Sequence, residues 1–255
     1  MYLLDIKNKN IIVTGASGGI GGHIAKALYR NGANLIVVAR NKEKLDQLKN
    51  ELNATDERFL SITADIANQN EIEKVIHLAF EKYLTIDGLV NVAGIGNADA
   101  MTELNEVDWD KVMDINVKGI WLFSKFLTNQ LKKSKHHACS IINISSALAR
   151  RTNKGRLAYA TSKAAVEHMT KQMALELADY NIRVNAVAPG YFRTSLNAQF
   201  LDSEKGLKTI EKIPLKRTGQ LSEFDGLIIL LLSNASSYMT GSVIDIDGGL
   251  SVNRM

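Results

Sequence analysis

Tyr159 and Lys163 stand four residues apart in the stretch Ala158-Tyr159-Ala160-Thr161-Ser162-Lys163. The run 157–177 around them reads as a helix, because Val166, Met169, Met173 and Leu177 recur at steps of three and four and mark one apolar face. Residues at helical spacing i, i+4 emerge on the same side, one turn apart. A free phenol titrates near pH ~10. A neighbouring ammonium favours the phenolate and lowers that value. Tyr159 is therefore expected to trade a proton near neutral pH, the task of a general acid or base. Taken alone, the same residues also describe a helix-surface tyrosine and a solvated lysine, so the assignment depends on what the chain places around them.

The elements that must position this pair begin at the other end of the chain. Ile11-Ile12-Val13-Thr14 is apolar and β-branched and reads as a buried strand. Gly15-Ala16-Ser17-Gly18-Gly19-Ile20-Gly21-Gly22 follows, then a helix over 20–30. Strand, glycine-rich turn and helix form a dinucleotide-binding first unit. The glycines let the backbone approach a pyrophosphate, whose charge meets the amides at the helix start. A second strand, 35–39, ends at Arg40, followed by Asn41-Lys42. An acid at that point favours a free ribose 2′-hydroxyl, whereas an arginine accommodates a 2′-phosphate. Arg40 thus favours NADP(H), with NAD(H) possible.

The alternation continues. Helices are expected over 42–52, 69–83, 107–133 and 221–232, and strands over 59–64, 89–92, 140–145, 183–188 and 243–246. This order predicts an α/β fold: a single-domain, doubly wound, seven-stranded parallel sheet of Rossmann type, with helices on both faces. Ligands sit outside the carboxyl ends of such strands. Thr14, Arg40, Asp65 and Asn91 all fall there, and Ser146 ends the fifth strand. Asn116 and Gly119 interrupt the helix over 107–133 at a cost in stability, which suggests a local kink. The segment 190–217 shows no long element and carries Tyr191, Phe192, Leu196, Phe200 and Leu201, as a lid over a substrate would.

At 255 residues and 45% hydrophobic content the chain can bury a full core, and no linker or repeat divides it, so one domain over 1–255 is expected. Cys139 is the only cysteine, which excludes an intrachain disulfide. Met1-Tyr2-Leu3-Leu4-Asp5 turns charged too early for a signal peptide, and no apolar run approaches the ~20 residues needed to span a bilayer. A soluble cytoplasmic protein without membrane contact is the expectation. The net charge is +4, but the basic residues are scattered. The one cluster, Lys132-Lys133-Ser134-Lys135-His136-His137, lacks interleaved aromatics. Nucleic-acid binding is not expected; anionic small ligands are. No metal site is expected.

With these pieces in order, the chain resembles the short-chain dehydrogenase/reductase family over essentially its whole length. Thr14-Gly15 through Gly19 and Gly21 matches the T-G-x-x-x-G-x-G loop, and Asn91-Val92-Ala93-Gly94 corresponds to N-N-A-G, with Val92 replacing the second Asn. Asn116, Ser146, Tyr159 and Lys163 fall where the catalytic tetrad falls, and Pro189-Gly190 with Thr194 matches the stretch that holds the nicotinamide. The resemblance implies that Tyr159 passes a proton to the carbonyl oxygen as hydride arrives. It implies that Ser146 hydrogen-bonds that oxygen. Lys163 would bind the nicotinamide ribose and depress the Tyr159 pKa, and Asn116 would hold a water that links Lys163 to solvent. Cofactor contacts are implied for Gly15, Ser17, Gly18, Gly19, Ile20, Gly21, Arg40, Asp65, Ile66, Asn91, Ala93, Gly94, Tyr159, Lys163, Pro189, Gly190, Phe192 and Thr194. Gly18 stands where many NADP-preferring relatives carry Arg or Lys. A homotetramer built on the long helices is also implied.

Within the family the chain is similar to 3-oxoacyl-[acyl-carrier-protein] reductases, which implies an acyl-carrier-bound carbonyl substrate. Asn185-Ala186-Val187-Ala188-Pro189-Gly190-Tyr191-Phe192 is instead similar to gluconate 5-dehydrogenase-like members, which act on small keto-sugar acids. Lys132 to His137 is a basic patch of the kind an acidic carrier protein needs. Arg150, Arg151 and Arg193 flank the expected site, either to meet a carboxylate or phosphate or simply as solvated side chains. A nucleotide-sensing protein that kept the fold and lost the chemistry commonly lacks the Tyr or the Lys; both are present here.

Overall fold

The computed structural model describes residues 4–133, 138–194 and 197–253. The chain opens with β1 (Asn10–Thr14), α1 (Gly19–Arg30), β2 (Asn34–Ala39), α2 (Lys42–Glu51), β3 (Phe59–Thr63) and α3 (Gln69–Tyr83). Next come β4 (Gly88–Asn91), α4 (Glu106–Met113), a π-helical turn (Asp114–Lys118) and α5 (Gly119–Leu131). Strand β5 (Cys139–Ile144) leads to α6 (Leu157–Leu177) and β6 (Ile182–Pro189). Short helices α7 (Ala198–Leu201) and α8 (Glu204–Ile210), then α9 (Asp225–Leu232), precede β7 (Val243–Ile246).

All seven strands are parallel, in the order β3-β2-β1-β4-β5-β6-β7. The chain reverses direction across the sheet between β1 and β4, which opens a crevice at their carboxyl ends. Both faces are covered, so neighbouring strand residues serve two cores. Ile12, Ile36, Leu89 and Ile141 pack with α3, α5 and α6. Ile11, Val13, Leu35, Val37, Val90 and Ile142 pack with α1, α2 and α9. This is why the strands read as unbroken apolar runs.

The expected single helix over 107–133 is three pieces. Asn116 is fully buried, and its amide is drawn off the helix to Ile95 and Ser162. The extra residue of the π turn is the backbone's accommodation, so the anticipated kink is a register change. Gly119 has a separate reason: a Cβ there would stand 2.7 Å from the Ile66 carbonyl oxygen. The expected helix over 221–232 begins as a 3₁₀ turn, Leu221–Phe224, and becomes α-helical at Asp225. The segment 190–217 contains α7 and α8, both too short to register as periodic patterns; Leu196 lies outside the described residues. Among the described residues no helix is long and apolar enough to cross a membrane, and no group of three His, Cys, Asp or Glu is placed to hold a metal ion.

Candidate active site

Strand β5 ends at Ile144, and the next two residues, Ser145 and Ser146, are buried at the mouth of the crevice. The Ser146 hydroxyl accepts from Leu148 N at 3.2 Å, which caps the short 3₁₀ turn Ala147–Ala149. The Tyr159 phenol, on the first turn of α6, is near enough to this hydroxyl to have its pKa lowered by it. Lys163, one turn later and 3% exposed, donates from Nζ to the Ile144 carbonyl at 2.8 Å. A Cβ on Gly94 would lie 3.2 Å from Asn116 Oδ1 and 3.4 Å from Lys163 Nζ, so those two groups flank the same glycine. Asn116, Ser146, Tyr159 and Lys163 therefore converge from three elements on one spot at the switch point.

The electrostatics differ from the sequence expectation. Burial raises the Tyr159 phenol above its ordinary value, outweighing the lowering by the Ser146 hydrogen bond and by the charge of Arg156. Lys163 does not depress it: the ammonium faces the Ile144 carbonyl, 5.8 Å from the centre of the tyrosine ring. Desolvation pulls Lys163 itself down to about 8. The Asn116 side chain is engaged within the protein. Both hydrogens of its amide are committed, to Ile95 O at 2.9 Å and Ser162 Oγ at 3.0 Å, and Oδ1 accepts from Ile95 N at 2.8 Å. Its side chain clamps the loop after β4 to α6.

The glycine-rich turn is shaped for a close ligand. Gly15 has φ +68°, and a Cβ on it would strike Ala93 backbone atoms at 2.8 Å. A Cβ on Gly21 would stand 2.3 Å from the Gly15 carbonyl oxygen. Thr14 Oγ1 accepts from Val92 N and Ala93 N at 3.1 and 3.2 Å, which ties the ends of β1 and β4 together across the crevice. Ser17, Gly18 and Gly19 border a cavity of about 340 Å³ between α1 and α2, which also takes in Ala16, Gly22 and Lys44. Thr194 stands across from the turn, its Cγ2 3.8 Å from a Cβ placed on Gly19. Arg40, exposed at the end of β2, makes no hydrogen bond or ion pair with a described residue. Asp65 accepts from Ala67 N at 2.9 Å through one oxygen only, which leaves the other for a ligand. A tight turn at a helix start, a free cation where a 2′-phosphate would lie and a half-used carboxylate fit a dinucleotide.

Three expected contacts, Asn91, Ile66 and Phe192, have side chains engaged within the protein. The Asn91 side chain is buried and donates to Asn143 Oδ1 at 2.9 Å, and Asn143 donates onward to Thr170 Oγ1 at 3.0 Å. This ladder is a buried polar contact across the sheet, and the neighbouring Val92 packs on the core. Ile66 is buried in the core on the α5 face, its carbonyl against Gly119. The Phe192 ring lies 4.4 Å from that of Phe224 and under Gly219, so only its backbone is left for the crevice. Gly190 is needed for its approach to Asp247, where a Cβ would stand 2.6 Å from Asp247 Cβ; Pro189 ends β6 beside it.

The three arginines expected around the site have partners. Arg150 forms a forked pair with Asp245 and contacts Glu167 at 3.2 Å. Arg151 donates to the carbonyls of Leu250 and Asn253, and Arg193 pairs with Asp202 at 2.5 Å. Of the basic cluster, Lys132 lies 3.9 Å over the Tyr180 ring, and residues 134–137 lie outside the described residues. The guanidinium that does stand at Tyr159 is Arg156, which caps the start of α6 and looks from sequence like any charged loop residue.

A family model described as Enoyl-(Acyl carrier protein) reductase matches residues 15–251. The chain is 37% identical over 250 residues to the 3-oxoacyl-[acyl-carrier-protein] reductase FabG of Thermotoga maritima, covering 98% of this chain and all of that one. It is 32% identical to glucose 1-dehydrogenase 2 of Bacillus subtilis, over 97% of this chain and 96% of that one. Among solved structures, the Pseudomonas aeruginosa RhlG/NADP active-site complex superposes with a TM-score of 0.91 at 30% identity, over 98% of this chain and 100% of that chain. Agreement along the full length, from glycine-rich turn to β7, makes this chain an oxidoreductase acting on CH–OH groups and a member of the short-chain dehydrogenase/reductase family.

Proposed function

We propose that the protein is an NADPH-linked reductase of 3-oxoacyl compounds, with Ser146, Tyr159 and Lys163 at the reacting atoms and Asn116 positioning them. The observation that carries this reading is the convergence of Ser146, Asn116 and the buried Lys163 ammonium with Tyr159, one turn from Lys163 on α6, where Asn116 and Lys163 flank Gly94 and Lys163 is tied to the end of β5. Bound nicotinamide supplies the hydride. Tyr159 gives its phenolic proton to the substrate oxygen, and the Ser146 hydroxyl steadies the charge that develops there. Gly15, Ser17, Gly18, Gly19, Ile20, Gly21, Ala93, Gly94, Pro189, Gly190 and Thr194 would hold the cofactor, largely through backbone. Arg40 would meet the 2′-phosphate and Asp65 the adenine.

The thioester on an acyl carrier is the first substrate class, supported by the FabG relative. A keto-sugar acid is the second, favoured by a guanidinium at Tyr159 that makes no ion pair among the described residues; the glucose dehydrogenase relative supports a sugar skeleton only. A homotetramer built through α5 and α6 accompanies this reading, supported by the exposure of Trp121 and Leu175 on those helices. The test is a screen of acetoacetyl thioesters and keto-sugar acids with NADPH and NADH. Turnover of at least one class, faster with NADPH, is the expected result. No turnover of any carbonyl compound with either cofactor would remove the reductase reading.

A further inference from the structure

Arg156 donates from one terminal nitrogen, Nη1, to Asn97 O at 2.6 Å and forms no ion pair among the described residues. That nitrogen and Tyr159 Cδ2 each lie 3.7 Å from the point where a Cβ on Gly96 would stand, so guanidinium and phenol ring share one wall. Asn97 belongs to the same wall. Its Oδ1 accepts from Tyr159 N at 3.2 Å, which fixes which end of the amide is the donor. The donor end, Nδ2, is buried and has no acceptor. A buried donor left unsatisfied destabilises a fold unless something accepts from it. Beside the tyrosine there is thus a half-buried cation with spare N–H groups and, next to it, an amide whose buried donor end has no acceptor, and no acidic side chain among the described residues pairs with either. Such a surface lacks acceptors and lacks negative charge, and the group that completes it supplies both.

We propose that Arg156 and Asn97 form a carboxylate-binding end of the substrate pocket, so that this enzyme takes oxo acids whose free carboxylate lies a few bonds from the reduced carbonyl. The inference rests on the hydride-transfer reading and, within it, replaces the relatives' thioester by an ionised acid. A planar fork and an amide N–H match the two oxygens of a carboxylate, and a neutral ester or thioester offers them less. Held there, the acid also sets which carbonyl faces Tyr159, since the subsite and the phenol adjoin.

The experiment compares acetoacetate with methyl acetoacetate, which shares its skeleton and lacks its charge, using the full-length protein and NADPH. In the parent, kcat/KM is expected to be at least ~10-fold higher for the acid. Arg156→Gln also removes a charge beside Tyr159 and so slows both substrates, but it should lower the acid-to-ester ratio of kcat/KM by at least about 10-fold, the signature of a lost charge-assisted contact. Asn97→Asp keeps the acceptor for Tyr159 N, satisfies Arg156 internally and should reject the acid while staying folded by thermal melt. A second arm needs no turnover. Malonate, a dicarboxylate with no ketone, is titrated calorimetrically into protein saturated with NADP⁺, with dimethyl malonate as the neutral control. Malonate should bind the parent and fail to bind Arg156→Gln. An ester preferred by the parent, or malonate binding untouched by Arg156→Gln, overturns the proposal. If no carbonyl compound is reduced, the reductase reading falls, and the malonate titration still decides the subsite.

Discussion

The ammonium of Lys163 donates to the carbonyl oxygen of Ile144 at 2.8 Å, which ties the catalytic helix to the last residue of β5. The lysine is therefore held by the sheet rather than by the tyrosine one turn above it. Its position does not depend on the phenol's protonation state, and the two side chains are separable by mutation.

Replacing Tyr159 by Phe removes the proton donor and keeps the ring. We expect kcat to fall by roughly 10²–10⁴, the usual scale of general-acid catalysis, with NADPH affinity within about threefold of the parent. Stopped-flow turnover and fluorescence titration of the cofactor measure the two separately. Full activity in the variant would exclude Tyr159 as the acid.

Lys163 has a folded-state pKa pulled from 10.5 to about 8 by desolvation. A lowered lysine pKa means that the unfolded chain binds more protons between those values, so this residue penalises folding fully below pH 8 and progressively less up to 10.5. Lys163→Met removes that penalty together with the bond to Ile144. The melting temperature of the variant relative to the parent should thus be most favourable at pH 7 and should decline between pH 8 and 10.5. A difference that stays flat or rises with pH would show that the ammonium is not desolvated. Activity should be lost at every pH.

Gly18 has an extended backbone with φ 161°, and a Cβ there meets nothing within 4 Å. Gly18→Arg should fold with a stability change within about 0.5 kcal/mol and raise NADPH affinity relative to NADH by about tenfold. Arg40→Asp should move the preference the other way. Unchanged affinity for both cofactors in both variants would place the 2′-phosphate elsewhere. Gly21→Ala, whose Cβ would stand 2.3 Å from the Gly15 carbonyl, should fail to bind either cofactor.

Asn91→Leu leaves the buried Asn143 oxygen without its donor. The expected cost is about 1–3 kcal/mol in denaturant unfolding, with the Kd for NADPH unchanged in the folded fraction. A weakened cofactor affinity at unchanged stability would return Asn91 to the binding site.

The order of elements, the Tyr159–Lys163 spacing and the glycine-rich turn were legible in the sequence, because each rests on local spacing; the role of Ser146 came from the family resemblance. Apolar runs mark strands buried on both faces, four-residue steps mark helix faces, and glycines mark backbone that must approach something. What the spacing could not carry was direction. Whether Asn91 turns to a cofactor or to Asn143, whether Phe192 faces the crevice or Phe224, and whether Lys163 charges the phenol or bonds a strand end depend on neighbours 19 to 52 residues away. The arginines show the same division. Arg150 and Arg193 look available in the sequence and are paired with Asp245 and Asp202, and Arg151 is held by backbone carbonyls 99 and 102 positions away, while Arg156 looks ordinary and makes no ion pair among the described residues. Which charges are paired and which are not is a property of long-range packing, so the reaction class was readable from the chain and the charges around Tyr159 only from the fold.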